Sequence, residues 1–249
     1  MVQHDPIEDY YRALIAAEAA GGEPELLMLG ALLPTGGVAI DVGANRGVYA
    51  FALSQIAREV HALEPNPDFA HLARHMLAGR AVVHAVALSN ASGRAALFVP
   101  IAEDGSELHL AGSLKNTHGQ FAQQRVIDTP VKTLDSYRMR DVTFIKVDVE
   151  GSELEVLEGA RATIARDRPV LLLELLSGTH SAPLAITREV CDSYGYDAFV
   201  VHGSERLDAL QTIGALGTNS TWGSGIATRN VLFTPRPSSP VLGPSLPPS

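Results

Sequence analysis

The chain reads as an α/β protein with a mostly parallel central sheet and helices on both faces. Three observations predict this. Short apolar runs recur, among them Val38-Ala39-Ile40, Val142-Thr143-Phe144-Ile145-Lys146-Val147 and Pro169-Val170-Leu171-Leu172-Leu173, and they are largely continuous rather than alternating, as strands covered on both faces must be. Segments of helical character separate them, the order that strand-helix-strand units impose. Four runs close on an acid, Asp41, Glu64, Asp148 and Glu174, and in open parallel sheets ligands bind outside the carboxyl ends of the strands.

In chain order, Tyr10–Glu18 and Glu25–Leu29 have helical character and are separated by Gly21-Gly22, which predicts a small helical cap over residues 1–36. A single domain then runs over residues 37–234. Its first strand leads through Asp41-Val42-Gly43-Ala44-Asn45-Arg46-Gly47 into a helix from Val48 to Leu53, and a second strand, Val60-His61-Ala62-Leu63, ends at Glu64. A helix near Phe69–Leu77 and a strand near Ala81–Val86 follow. The polar turn Ser89–Gly93 leads to Ala95–Val99 as a hairpin-like pair, and the polar residues 103–125 read as a long loop over a site. After the strand ending at Asp148, an acid-started helix begins, with Ser152 and Glu155 spaced for a capping box. Asn230-Val231-Leu232-Phe233 is expected as a last, antiparallel strand at the sheet edge. Residues 235–249 are rich in proline and serine and are expected to be a disordered tail.

With 249 residues the chain suffices for one substantial core. Its net charge of -9 and lack of any Lys/Arg cluster argue against a nucleic-acid partner, whose affinity needs concentrated positive charge. No run approaches the roughly 20 apolar residues of a membrane span, and the acidic, polar start is unlike a signal peptide. A soluble, cytoplasmic protein is expected. Cys191 is the single cysteine, so no internal disulfide forms. His71 and His75 lie one helical turn apart, but without the Glu of a zincin motif, and no zinc is assigned. The chain lacks the G-x-S-x-G of an α/β-hydrolase and the phosphate-binding G-x-x-x-x-G-K.

Glycines after a strand let the backbone approach a ligand closely, and N–H groups at a helix start attract its negative parts. A dinucleotide needs G-x-G-x-x-G, whose second glycine admits the pyrophosphate. Here that position is Asn45. Its side chain crowds a diphosphate but suits S-adenosylmethionine, which has no phosphate. Asp41 would repel phosphate yet tolerate an ammonium, and Glu64 sits where such folds place the residue that holds ribose hydroxyls. For Asp148 and Glu150 the structural alternative is helix capping, worth roughly 0.3–1 kcal/mol per charge. Four strands ending in acids exceed what capping needs, and such carboxylates can bind a divalent ion or act as a base. His180 is the favoured histidine base, with His109 and His118 behind it. Sequence alone fixes no base.

These blocks resemble the FkbM-type S-adenosylmethionine-dependent methyltransferases: Ile40-Asp41-Val42-Gly43-Ala44-Asn45-Arg46-Gly47, Leu63-Glu64-Pro65-Asn66, Ala87-Leu88-Ser89 with Gly93, Thr133-Leu134-Asp135, and Ile145-Lys146-Val147-Asp148-Val149-Glu150-Gly151 with Glu153 and Gly159-Ala160. The resemblance spans about Val38 to Glu174. It implies a Rossmann-like class I methyltransferase fold, with Asp41, Gly43, Ala44, Asn45, Gly47, Glu64 and Pro65 around the cofactor and Ala87 and Leu88 beside its adenine. By the same resemblance Asp148 and Glu150 face the reacting centre, to which Glu174 and His180 are added as catalytic candidates. The implied reaction is O-methylation of a hydroxyl on a small molecule such as a sugar, a polyketide or another secondary metabolite. No metal ligand is assigned, and a divalent metal and a homodimer are left open. The rival readings are a protein that binds adenosylmethionine or a nucleotide without turnover, and an NAD-dependent oxidoreductase.

Overall fold

A computed structural model describes residues 5–102, 104, 107, 112–115, 123–175, 182–202, 205–216, 226 and 228–237. The N-terminal segment, called the cap below, is helical: α1 (Pro6–Ala20) starts at Asp5, whose side chain accepts from the Ile7 amide, and a 3₁₀ turn over Pro24–Leu27 leads into α2 (Leu29–Leu32). There follow β1 (Val38–Val42), α3 (Val48–Leu53), β2 (Glu59–Leu63), α4 (Pro67–Met76), β3 (Val82–His84), β4 (Ala87–Leu88), β5 (Gly93–Ile101) and β6 (Gln123–Lys132). The second half holds β7 (Val142–Val147), α5 (Glu153–Glu158), α6 (Arg161–Asp167), β8 (Val170–Glu174), α7 (Pro183–Tyr194), β9 (Tyr196–His202), β10 (Glu205–Asp208), α8 (Ala209–Leu216) and β11 (Asn230–Pro235).

The main sheet has eight strands in the order β10-β9-β11-β8-β7-β1-β2-β3. From β1 the chain winds one way through β2 and β3, and later the other way from β7 to β8, all in parallel. Strand order therefore reverses between β1 and β7, where a crevice opens at the carboxyl ends. On one face Ile40, Val42, Ile145, Val147, Leu171 and Leu173 are buried with Val156, Leu157 and Ile164 of α5 and α6. On the other, Ala39, Phe144 and Leu172 are buried with α3 and the cap. Each large apolar side chain so buried contributes about 1.5–3 kcal/mol. Tyr11 docks the cap directly: its ring stacks on Phe51 at 4.4 Å, and its hydroxyl donates to the Arg46 carbonyl at 2.9 Å.

Several expectations are corrected. β11 is antiparallel but interior, between β8 and β9, because residues 196–208 extend the sheet beyond it. β5 pairs with β6 across the intervening segment, in a separate sheet ordered β4-β6-β5, so the expected loop gives way to a strand at Gln123. The acid-started helix is two helices meeting at Gly159, where a Cβ would lie 2.1 Å from the Ser89 carbonyl oxygen; only glycine lets the two backbones approach so closely. Ser152 precedes α5 but forms no side-chain cap. Glu153 instead accepts from the Gly151 amide at 2.8 Å. The expected tail lies outside the described residues beyond Pro237. No helix among the described residues is long and apolar enough to cross a membrane.

Candidate active site

The crevice between β1 and β7 is a cleft of about 1180 Å³, counted out to its open mouth. Its floor is the ends of β1, β2, β7 and β8, and Glu18 and Glu23 of the cap flank it. Leu97 and Val99 of β5 join Val86, Ala87 and Leu88 in an apolar wall.

The glycine turn shapes the floor. Gly43 has φ 80°, and a Cβ there would lie 1.7 Å from the Asp148 carbonyl oxygen, so both conformation and space demand glycine. All five amides of the turn are satisfied internally: Gly43 and Ala44 donate to the Leu63 carbonyl, Asn45 to Glu64 Oε2 at 2.7 Å, Arg46 to Asn45 Oδ1 at 2.8 Å, and Gly47 to the Ala44 carbonyl. No turn amide is left for an anion, which corrects the expectation that exposed N–H groups attract one. Glu64 Oε1 also accepts from the Asn66 amide at 2.7 Å. Each of its oxygens keeps a second lone pair, and burial raises the carboxyl to about 7 against the pull of these two amides.

The acids at the other strand ends divide by environment. Asp41 is 2% exposed, and its Oδ2 has no hydrogen-bond partner. Burial and the nearby Asp148 raise it to about 7, with Lys146 opposing. Burial also pushes Asp148 up, but Lys146, the hydrogen bond with Glu174 and Arg229 outweigh this and hold it below the usual carboxylate range. The Asp148 side chain is 28% exposed, with Lys146 Nζ 3.5 Å away. Glu174, buried and hydrogen-bonded to Asp148, is pushed well upward. Glu150 rises to about 8 through burial and repulsion from Asp148 and Glu153. It sits at φ 53°, its carbonyl held by the Ser113 hydroxyl at 2.8 Å.

Two cations complete the site, neither given a role by the sequence reading. Lys146 is fully buried and lies 5.0 Å from the centre of the Tyr49 ring. Burial favours its neutral form, but the carboxylates of Asp148, Glu23, Glu174 and Asp41 outweigh that and keep it charged. A lysine inside the apolar run of β7 was the available signal. Arg229, just before β11, contacts Glu23 at 2.5 Å and Glu174 at 3.5 Å; nothing nearby in sequence marks it.

The structure brings Asp41, Gly43, Ala44, Asn45, Glu64, Pro65, Ala87, Leu88, Asp148, Glu150 and Glu174 to one cleft. Gly47 does not line the cleft; it caps the start of α3 at φ 81°, against Leu77 and Tyr11. His180, His109 and His118 lie outside the described residues. Among the described residues no group of three His, Cys, Asp or Glu side chains could hold a metal ion. Acids on the floor and an apolar wall give the cleft the character that a cationic nucleoside requires.

A sheet that reverses at β1, with its last strand inserted antiparallel between two others and an acid-lined cleft at the reversal, is the fold of the class I S-adenosylmethionine-dependent methyltransferases. Residues 41–198 match the methyltransferase FkbM domain, and the chain belongs to that family. Among solved structures it is similar to the methyltransferase FkbM of Methylobacillus flagellatus KT, with 20% identity, 82% of this chain and 45% of that one covered, and a TM-score of 0.51. It thus spans under half of that protein. Weaker similarities include a TehB-like SAM-dependent methyltransferase from Corynebacterium glutamicum (17% identity, 92% and 98% covered, TM-score 0.42) and the precorrin 8W decarboxylase of Methanobacterium thermoautotrophicum (13% identity, 84% and 88% covered, TM-score 0.45). No curated protein sequence matches the chain.

Proposed function

We propose that the chain methylates a hydroxyl group of a small molecule with S-adenosylmethionine as donor. The observation that carries the cofactor assignment is the glycine turn, whose five amides are all engaged, one of them by Glu64, and which shares its cleft with Asp41. A diphosphate would find no donor there and two acids against it, which disfavours a dinucleotide. When bound, the cofactor supplies the electrophilic methyl group.

The chain's own residues position and deprotonate. Asp41 and Glu64 hold the ammonium and ribose, and the apolar wall holds the adenine. Glu150 serves as general base, since it lines the cleft beside Asp148 and its carboxyl is raised to about 8, close to a neutral operating pH. Asp148, kept anionic by Lys146, orients the acceptor hydroxyl, while Glu174 carries a proton beside it. The net negative charge of the chain and the acids of the cleft support a small, non-anionic acceptor rather than nucleic acid. Calorimetric titration with S-adenosylmethionine and with NAD tests the cofactor, and a screen of hydroxylated metabolites with labelled cofactor tests the transfer. Binding of NAD alone would overturn the reading.

A further inference from the structure

The turn that follows β7 is held by a part of the chain remote from it in sequence. Glu150 and Gly151 have φ of 53° and 101°. Glycine adopts such values readily, but at Glu150 they carry a strain comparable with what one hydrogen bond returns. Residues 113 and 115 supply two. The Ser113 hydroxyl donates to the Glu150 carbonyl at 2.8 Å, and the Lys115 ammonium donates to the Gly151 carbonyl and pairs with Glu155 at 2.8 Å. Ser113 is itself fixed, being 1% exposed with its hydroxyl accepting from the Lys115 amide at 3.1 Å. Its own amide donates to the Phe98 carbonyl of β5 at 3.1 Å, and its carbonyl accepts from the Phe98 amide at 2.9 Å. The small sheet is thus tied through two side chains to the turn that carries Glu150.

We propose that Ser113 and Lys115 are positioning residues, which hold the carbonyls of Glu150 and Gly151 so that the turn stays left-handed and the Glu150 carboxyl keeps its place in the cleft. The proposal rests on the reading of Glu150 as the base. A carboxylate that takes a hydroxyl proton must lie within hydrogen-bond reach of it, and the backbone at Glu150 sets the direction in which its side chain leaves. At an ordinary negative φ that direction changes, and the carboxyl leaves Asp148 and Glu153 for water. Gly112 and Leu114 line the cleft, whereas Ser113 and Lys115 do not. They therefore act through Glu150 rather than on a ligand.

The test follows the Glu150 carboxyl itself, without an acceptor, by carbon-13 NMR titration of the full chain labelled at its glutamate carboxyl carbons. The resonance is assigned by its absence in Glu150→Gln. In the native chain the midpoint is expected near 8, set by burial and by Asp148 and Glu153 against Arg229 and Lys146, all of which the substitutions leave in place. In Ser113→Ala it should fall by at least about one pH unit as water reaches the carboxyl. Lys115→Met should lower it too, although loss of a positive charge would by itself raise a carboxyl, so the sign separates a released turn from a changed field. Calorimetric affinity for S-adenosylmethionine should change less than about twofold in either variant. Should Ser113→Ala fail to fold, the more exposed Lys115 decides. A midpoint that stays at its native value in both variants, with only the melting transition lowered, would overturn the proposal and leave structural ties. A native midpoint in the ordinary glutamate range would instead overturn Glu150 as the base, and the proposal with it.

Discussion

Replacing Lys146 with methionine tests the electrostatic design of the cleft, because methionine keeps the aliphatic stem and removes only the charge. The ammonium is fully buried and 3.5 Å from Asp148. At that distance two unit charges attract by about 5 kcal/mol at an effective dielectric constant of 20, and breaking one side of a buried pair costs roughly 3–5 kcal/mol. The loss should depend on pH in a definite direction. In the native chain Asp148 lies below its ordinary range because of Lys146, so it stabilises the fold above that range and less as the pH falls. Without Lys146 the strongest opposition to burial is gone, with only the Glu174 hydrogen bond and Arg229 left against it, so the carboxyl rises and contributes less to the folded state once it ionises. Urea denaturation should therefore show Lys146→Met losing more stability near pH 8 than near pH 5. A loss under about 1 kcal/mol at the higher pH, or the same loss at both, would refute the reasoning.

Further outcomes follow from the same geometry. Gly43→Ala places a Cβ 1.7 Å from the Asp148 carbonyl oxygen at a positive φ, and should cost at least about 2 kcal/mol in denaturant unfolding as well as abolish cofactor binding. Glu64→Ala removes the acceptor of two backbone amides; cofactor affinity should fall at least about tenfold, with much less change in acceptor affinity, and unchanged cofactor binding would sink that role. With Glu150 near 8, turnover should rise with pH through that value as the base ionises, and Glu150→Gln should flatten the rise. Asp148→Asn should reduce turnover more than cofactor affinity, a separation that paired kinetics and calorimetry would reveal.

The parallel half of the fold was legible because its strands are buried on both faces, so that Val38–Ile40 and Val170–Leu173 carry an apolar signal that local propensity alone can read. β6 was not. Its solvent-facing Asp128 and its Pro130 give it the look of a loop, and only pairing with β5 makes it a strand. The interior place of β11 depends on β9 and β10, whose positions no local pattern states. In the cleft, acids at strand ends could be read directly, since the fold itself puts such ends together. The partition of charge among them could not, because it is set by Lys146 from below and by Arg229 from near the far end of the chain. Asn45 was read as a side chain that excludes diphosphate. The structure adds that the turn amides, not that side chain alone, are closed to it.

The cap and the last strand are fastened to each other beneath the cleft. Glu25 accepts from the hydroxyl of Thr228, Arg229 grips Glu23, and the Arg229 amide donates to the Gly22 carbonyl. These partners lie more than two hundred positions apart, so the fastening forms only once residues 228 and 229 are available. During synthesis, therefore, the glycine turn and its neighbouring strands can assemble early, but Glu23 stays without its arginine until residue 229 emerges from the ribosome. A chain interrupted before residue 229 would therefore carry the family's most recognisable residues but lack the arginine that pairs with Glu23 and Glu174.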